Sequence, residues 1–223
     1  GLDGLVITGR AGRPVYLYAH DGIVEVRDAS ALWGLNTQQT QKALQEQTTA
    51  KASVACIGPA GENRVLFAAI MNDRDRAAGR GGMGAVMGSK NLKAIVAAGG
   101  LPVEIADPQG YKAMSARLDR AVDKNPVTGK SLQVLGTPVL VNIINAHGMF
   151  PTRNFRGGVF NDAEGTSGEK IAESLLQRQS ACYKCPIGCG KRWEVKDGPF
   201  AGEWGNKIEE GAFTPLGPGC GNS

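Results

Sequence analysis

An α+β architecture is predicted by three observations. The first hundred residues are short apolar runs broken by turn residues, the second half has helical periodicity, and Gly, Pro and Asp cluster between them at 99–107. That cluster divides a β-rich segment, 1–100, from a mainly helical segment, 101–223, that carries three closely spaced cysteines.

The elements follow in order. Val15-Tyr-Leu-Tyr-Ala-His20 and Ile23-Val-Glu-Val26 flank Asp21-Gly22, the dipeptide preferred in tight hairpins, and predict two paired strands. Asp28-Ala29-Ser30 supplies cap residues for a short helical turn through Leu32-Trp33. The Gln-, Ala- and Leu-rich stretch 37–48 predicts a helix. The apolar runs 53–57 and 65–71 predict strands on either side of a Gly58-Pro59-Ala60-Gly61 turn, and 93–98 predicts another. Beyond Pro108, helices are expected at 111–124, 138–147 and 168–179. Leu5-Val6-Ile7-Thr8 reads as a further strand, so no secretory leader is visible there. The chain opens without Met inside that apolar run and closes on the turn-rich Pro218-Gly219-Cys220-Gly221-Asn222-Ser223, which leads to the expectation that it is an internal piece of a longer protein.

The segment from Asn72 to Lys93 carries the first chemical signal. Gly79, Gly81, Gly82, Gly84 and Gly88 let backbone approach a ligand, and Arg74, Arg76 and Arg80 offer planar, permanently charged forks suited to phosphate or carboxylate. Together they predict an anion cradle for a phosphate-bearing cofactor. Gly79-Arg-Gly81-Gly-Met-Gly84 satisfies G-x-G-x-x-G, but that fingerprint should follow a strand directly and open a βαβ unit. Here a charged Asp-Arg-Asp-Arg run intervenes and the next segment is short for a helix and crossover. A phosphate loop of the Gly-x4-Gly-Lys-Ser/Thr type is absent.

Cys182-Tyr-Lys-Cys185-Pro-Ile-Gly-Cys189 carries the second signal, three thiols spaced C-x2-C-x3-C with Pro186 and Gly188 favouring a turn between them. A [4Fe–4S] cluster and structural zinc each take four ligands, so three clustered thiols imply a fourth from elsewhere. The bacterial ferredoxin run, C-x2-C-x2-C-x3-C-P, is excluded, because Pro follows the middle cysteine here. Cys220 is the other nearby thiol, while Cys56 lies in an expected strand and reads as a small buried hydrophobe. His20 and His147 lack a partner at ligand spacing and are assigned to a hairpin and a helix end.

Composition narrows the partners. A net charge of +4, spread along the chain, gives no electrostatic footprint for nucleic acid. The longest apolar runs fall short of the roughly 20 residues of a membrane span. An odd number of clustered cysteines fits a reducing, cytoplasmic setting better than a disulfide framework.

Several strings along nearly the whole chain resemble the aldehyde:ferredoxin oxidoreductase family. They are Pro14-Val-Tyr-Leu-Tyr, Val26-Arg-Asp-Ala-Ser-Ala-Leu-Trp33-Gly, Ile57-Gly-Pro-Ala-Gly-Glu-Asn63, the run from Arg76 to Ala94, Val141-Asn-Ile-Ile-Asn145, and the cysteine string with the glycine after it. The resemblance implies a tungsten (or molybdenum) bis-pterin cofactor and a [4Fe–4S] cluster. It implies that 1–100 is the C-terminal part of the pterin-binding domain and 101–223 the start of the helical domain. Arg76, Ala77, Gly79 and Arg80 would contact the metallopterin, and Cys182, Cys185 and Cys189 would be three of four cluster ligands. Glu210 would be a proton-transfer group near the substrate, although Trp204-Gly-Asn-Lys-Ile departs from the family's context there. The family does not use the position of Cys220.

The activity implied is oxidation of a small aldehyde to a carboxylic acid, with electrons relayed through the cluster to ferredoxin. Homo-oligomerisation is left open by the residues. One alternative within the superfamily is the tungsten subunit of a benzoyl-CoA reductase, which runs a reduction instead; the strings at 69–79 and 141–145 look more like the aldehyde branch. An alternative of another class is a non-catalytic zinc module on Cys182, Cys185, Cys189 and Cys220.

Overall fold

The computed structural model describes residues 4–73, 75–100, 102–206 and 214–221. The chain divides into two compact units, Gly1–Glu104 and Ile105–Ser223.

The first unit is built on a six-stranded sheet. Strands β1 (Val15–His20) and β2 (Ile23–Asp28) form the expected hairpin. Asp21 and Gly22 both take positive φ, 46° and 85°, the geometry that matches the twist of a two-residue turn. Asp28 accepts from the Ser30 amide at 3.2 Å and its hydroxyl at 2.9 Å, fixing the one-turn helix Ser30–Leu32. Helix α1 (Thr37–Gln47) starts in a capping box, with Asn36 and Gln39 each accepting from the other's backbone N–H. Then follow β3 (Ser53–Cys56), α2 (Pro59–Glu62), β4 (Ile70–Asn72), β5 (Arg76–Ala78), α3 (Met83–Ser89) and β6 (Leu92–Ala98).

The strand order is β2-β1-β6-β3-β4-β5. Alternation along the strands serves two apolar layers. Tyr16, Val54, Cys56 and Val96 pack with Leu32 and Leu44 on the α1 side. Leu17 and Leu92 pack with Ile57 and Met87 of α3 on the other.

Two expectations fail in this unit. No strand forms at 5–8, where Val6 is exposed. The apolar run 65–71 is a strand only from Ile70, with Leu66 and Phe67 left 87% and 82% exposed. The backbone of 65–69 instead seats the glycine-rich segment: Ala68 O accepts from Gly84 N at 2.9 Å, and a Cβ on Gly82 would lie 2.1 Å from Leu66 O. Tertiary packing of backbone on backbone overrides the strand propensity of the run.

Cys56 shows what burial does to a thiol. It is 2% exposed and donates to Thr37 O at 3.6 Å. Burial pushes its pKa up from 9.0 to about 11, with the Lys93 charge pulling slightly the other way. The folded thiol therefore keeps a proton that the unfolded one loses. Its contribution to stability is full below pH 9.0 and is lost as pH rises toward about 11. Iodoacetamide at neutral to mildly alkaline pH is expected to leave Cys56 unmodified until the chain is denatured; peptide mass spectrometry checks this, and labelling in the native protein would contradict it.

The second unit begins with α4 (Pro108–Lys124), capped by Asp107 through Gly110 N at 2.9 Å. Helices α5 (Leu132–Leu135), α6 (Leu140–Ala146) and α7 (Gly168–Ser174) follow, and Val141 of α6 packs with Phe150, Phe160 and Ala163 in a buried core. The helix expected over 168–179 ends at Ser174. Residues 176–180 are instead β7 (Leu176–Ser180), paired antiparallel with β8 (Gly190–Glu194), which pairs with β9 (Trp204–Asn206). Cross-strand contacts explain the switch: Arg192 donates to Gln177 Oε1 at 2.8 Å and lies 4.3 Å over the Trp204 ring. Lys191, a buried residue of β8, donates to Gln133 O at 2.7 Å.

Between α6 and α7 three consecutive non-glycine residues, Arg153, Asn154 and Phe155, take left-handed φ of 49°, 56° and 63°. Each costs about 1–2 kcal/mol, least for Asn. The turn is held by Arg153 N to Pro218 O at 3.1 Å and Asn154 N to Gly219 O at 2.7 Å. Among the described residues no single helix is long and apolar enough to cross a membrane.

Candidate functional site

The glycine-rich segment sits at one edge of the first sheet, on edge strand β5 and the loop into α3. Its hairpin is set by Asp73, whose carboxylate accepts from Val54 N at 2.9 Å while its own amide donates to Val54 O at 3.0 Å. Asn72 Nδ2 then donates to Arg76 O at 3.2 Å. Arg76 points its Nε toward Asp75 at 3.8 Å, and its Nη1 is buried with no hydrogen-bond partner. A buried guanidinium donor without an acceptor is costly unless an anion completes it. Ala77, Gly79 and Arg80 are exposed, and a Cβ on Gly79 would meet nothing within 4 Å. An orphaned guanidinium donor and open backbone three residues apart in sequence fit a large anionic guest. Arg74 lies outside the described residues.

The other glycines serve the chain's own packing. A Cβ on Gly84 would lie 2.6 Å from Ala69 O, and one on Gly88 would lie 1.9 Å from Gly61 O. So α3 rests on α2 with backbone touching backbone, and only the front of the glycine string is free for a ligand. The dinucleotide fingerprint fails on topology. Strands β3, β4 and β5 alternate in direction from β6, so β5 and β6 run in opposite senses with two strands between them. A βαβ crossover needs parallel strands.

Beneath α2 lies a buried ion pair that sequence reasoning missed. Lys93 on β6 is fully buried and Glu62 is 5% exposed. Lys93 Nζ donates to the Glu62 carboxylate and, at 2.9 Å, to Leu35 O. Glu62 also accepts from Gly34 N, at 3.0 and 2.9 Å to its two oxygens. Every polar group in the pair has a partner, so it locks α2, β6 and the 34–35 loop into one arrangement. Glu62 stands in the recognised Ile57–Asn63 string, but nothing in the local pattern announces a lysine 31 residues away in sequence.

In the second unit, Cys182, Cys185 and Cys189 occupy the connection between β7 and β8. All are free thiols, Cys182 exposed and the other two half-buried. Cys185 N donates to Cys182 O at 3.0 Å, and Lys184 and Gly188 take φ of 51° and 62°, so the segment is turned as its Pro and Gly predict. Among the described residues no three His, Cys, Asp or Glu side chains are gathered closely enough to hold a metal ion. The three thiols are a suitable soft donor set on one turn, still short of a closed site. Cys220 lies on the separate one-turn helix Pro218–Cys220 and donates to Pro215 O at 3.2 Å. Glu210 lies outside the described residues. His20 bonds Glu25 at 3.0 Å and stacks on Tyr18, and His147 bonds Ile143 O at 2.8 Å, so hairpin and helix end account for both.

Residues 1–99 match the aldehyde ferredoxin oxidoreductase N-terminal domain, and 113–223 match domains 2 and 3 of the same enzymes. A redox-enzyme scaffold is thereby defined over both units, and the chain belongs to the aldehyde ferredoxin oxidoreductase family. It is 54% identical over 192 residues to a tungsten-containing aldehyde ferredoxin oxidoreductase of Pyrococcus abyssi, covering 86% of this chain and 32% of that one. The Pyrococcus horikoshii enzyme of the same name is 51% identical over the same coverage. More distant is an aliphatic sulfonate oxidoreductase WOR-like subunit of Pyrococcus furiosus, 32% identical over 91% of this chain and 34% of the relative. Among solved structures, the active-site complex BamBC of benzoyl coenzyme A reductase superposes with a TM-score of 0.68 at 30% identity, covering 93% of this chain and 32% of that one. The chain thus spans about a third of the length of these relatives.

Proposed function

We propose that residues 76–80 hold the phosphates of a tungsten pterin, that Cys182, Cys185 and Cys189 give three thiolates to a [4Fe–4S] cluster, and that the protein containing this chain oxidises aldehydes to carboxylic acids, with ferredoxin as electron acceptor. The buried, unpartnered Nη1 of Arg76, with the open backbone of Gly79 three residues further along the chain, carries this reading. When bound, the metallopterin supplies the two-electron redox chemistry and the cluster single-electron relay.

The chain's own residues bind and orient. Arg76 forms charge-assisted, directional hydrogen bonds to a phosphate, and exposed Arg80 adds neutralising charge. Gly79 offers its amide without a side chain in the way. The turn at 182–189 carries three soft donors that would close around the cluster, and the fourth ligand would come from outside that turn. Glu210 is proposed as the group that moves a proton at the substrate. Aldehyde oxidation is preferred to the benzoyl-CoA reductase alternative because identity to the aldehyde enzymes reaches 54%, against 30% to the reductase complex.

The test is metal analysis of the full-length protein purified without oxygen, in the wild type and two variants. Tungsten together with about four irons per chain is expected for one cubane cluster. Arg76→Gln should retain iron but bind the pterin about 10- to 100-fold more weakly, the worth of one charge-assisted hydrogen bond of about 1.5–3 kcal/mol. Cys185→Ser should lose iron and keep tungsten. Zinc with neither iron nor tungsten would overturn the proposal and leave the cysteines as a structural zinc site.

A further inference from the structure

We propose that Lys191 is a positioning residue for the iron–sulfur cluster: its buried ammonium fixes the Cys189 end of the cysteine turn and raises the cluster's reduction potential. This rests on the cluster proposed above and adds to it a residue that the cysteine spacing does not announce.

Among the described residues the buried lysines are Lys93 and Lys191, 0% and 3% exposed. A buried ammonium is costly unless it is paired and hydrogen-bonded. Lys93 has the Glu62 carboxylate. Lys191 has no ion-pair partner among the described residues. Its three N–H donors meet two backbone carbonyls there, Gln133 O at 2.7 Å and Cys189 O at 3.4 Å. The charge is thus held by dipoles, and a counter-charge is lacking within the described part of the chain.

The position of that ammonium suggests what supplies it. Lys191 stands in β8 two residues beyond the third cysteine of the turn. The Cys189 carbonyl to which it donates also abuts Gly136, at the end of α5, where a Cβ would lie 3.1 Å from the oxygen. Gln133 belongs to α5 as well. Lys191 therefore ties the last cysteine of the turn to α5 through both of its hydrogen bonds, and it brings a positive charge to the backbone of a cluster ligand.

A cubane held by four thiolates is anionic, and an electron taken up makes it more so. A fixed positive charge in a weakly screened interior favours the more negative state. In the proposed relay one electron arrives from the pterin site and one leaves for ferredoxin, with no bond made or broken. Lys191 eases the arrival.

The test is an EPR-monitored redox titration of the full-length protein, purified without oxygen, with iron analysis alongside. Lys191→Met removes the charge and both hydrogen bonds; Lys191→Gln removes the charge and keeps a donor; Lys191→Arg keeps the charge. At the wild-type midpoint potential, the ratio of reduced to oxidised cluster should fall about tenfold in Lys191→Met and Lys191→Gln, a midpoint lowered by about 59 mV for one electron. Lys191→Arg should stay near wild type. Should Lys191→Met fail to fold, Lys191→Gln carries the comparison. Loss of iron from the two neutral variants alone would also support the proposal, since an anionic cluster would then need the charge to be retained. An unchanged midpoint in Lys191→Gln, or equal shifts in all variants including Lys191→Arg, would overturn the role of Lys191 and leave the cluster standing. A wild-type protein without iron would overturn the cluster and the role of Lys191 together.

Discussion

Lys93→Met should destabilise the protein by about 3–5 kcal/mol, the cost of leaving one member of a buried ion pair uncompensated. Glu62 would keep its two contacts from Gly34 N but face an apolar side chain where an ammonium had been. Leu35 O would also lose its donor. The double variant Lys93→Met with Glu62→Leu removes both charges and should recover much of the loss, since two apolar groups in place of a buried pair are often neutral. Chemical denaturation of the three proteins measures this directly. A single variant within about 0.5 kcal/mol of wild type would show that the pair contributes nothing. Because Glu62 ends α2, on which α3 rests directly after the glycine-rich loop, Lys93→Met should also lower tungsten content.

Gly88→Ala should be about as damaging, by about 3 kcal/mol or more, although alanine is the better helix former by about 1 kcal/mol. The added Cβ would lie 1.9 Å from Gly61 O and 2.7 Å from Gly61 C, and backbone on both sides leaves neither helix room to yield. Gly79→Ala is the informative partner variant. Its Cβ meets nothing within 4 Å, so stability should stay within about 0.5 kcal/mol of wild type. Tungsten content should nevertheless fall, because the methyl group would stand where the cofactor approaches. Thermal melts paired with metal analysis separate the two effects. Equal loss of stability in both variants would show that the glycine string is a packing device throughout.

These two glycines mark the limit of what could be read along the chain. The Asp21-Gly22 hairpin, the capped helix at Thr37–Gln47 and the strand at Leu92–Ala98 were legible because each is written in residues adjacent in sequence. The expected helix over 168–179 and the strand over 65–71 were each only partly realised. In both places contacts with a distant segment, β8 in one case and the glycine string in the other, outweighed local propensity.

At the candidate sites the division is the same. The turn through Cys182, Cys185 and Cys189 and the charge on the arginine–glycine segment are legible in sequence alone, because thiols a few residues apart share a turn and a guanidinium keeps its charge in any surroundings. Which arginine donor is buried unpaired, which glycines are free for a ligand, the Lys93–Glu62 pair and the burial of Lys191 against Gln133 O were decided only by tertiary structure. Burial and hydrogen-bond satisfaction are properties of neighbours, and those neighbours come together only when segments far apart in the chain are packed.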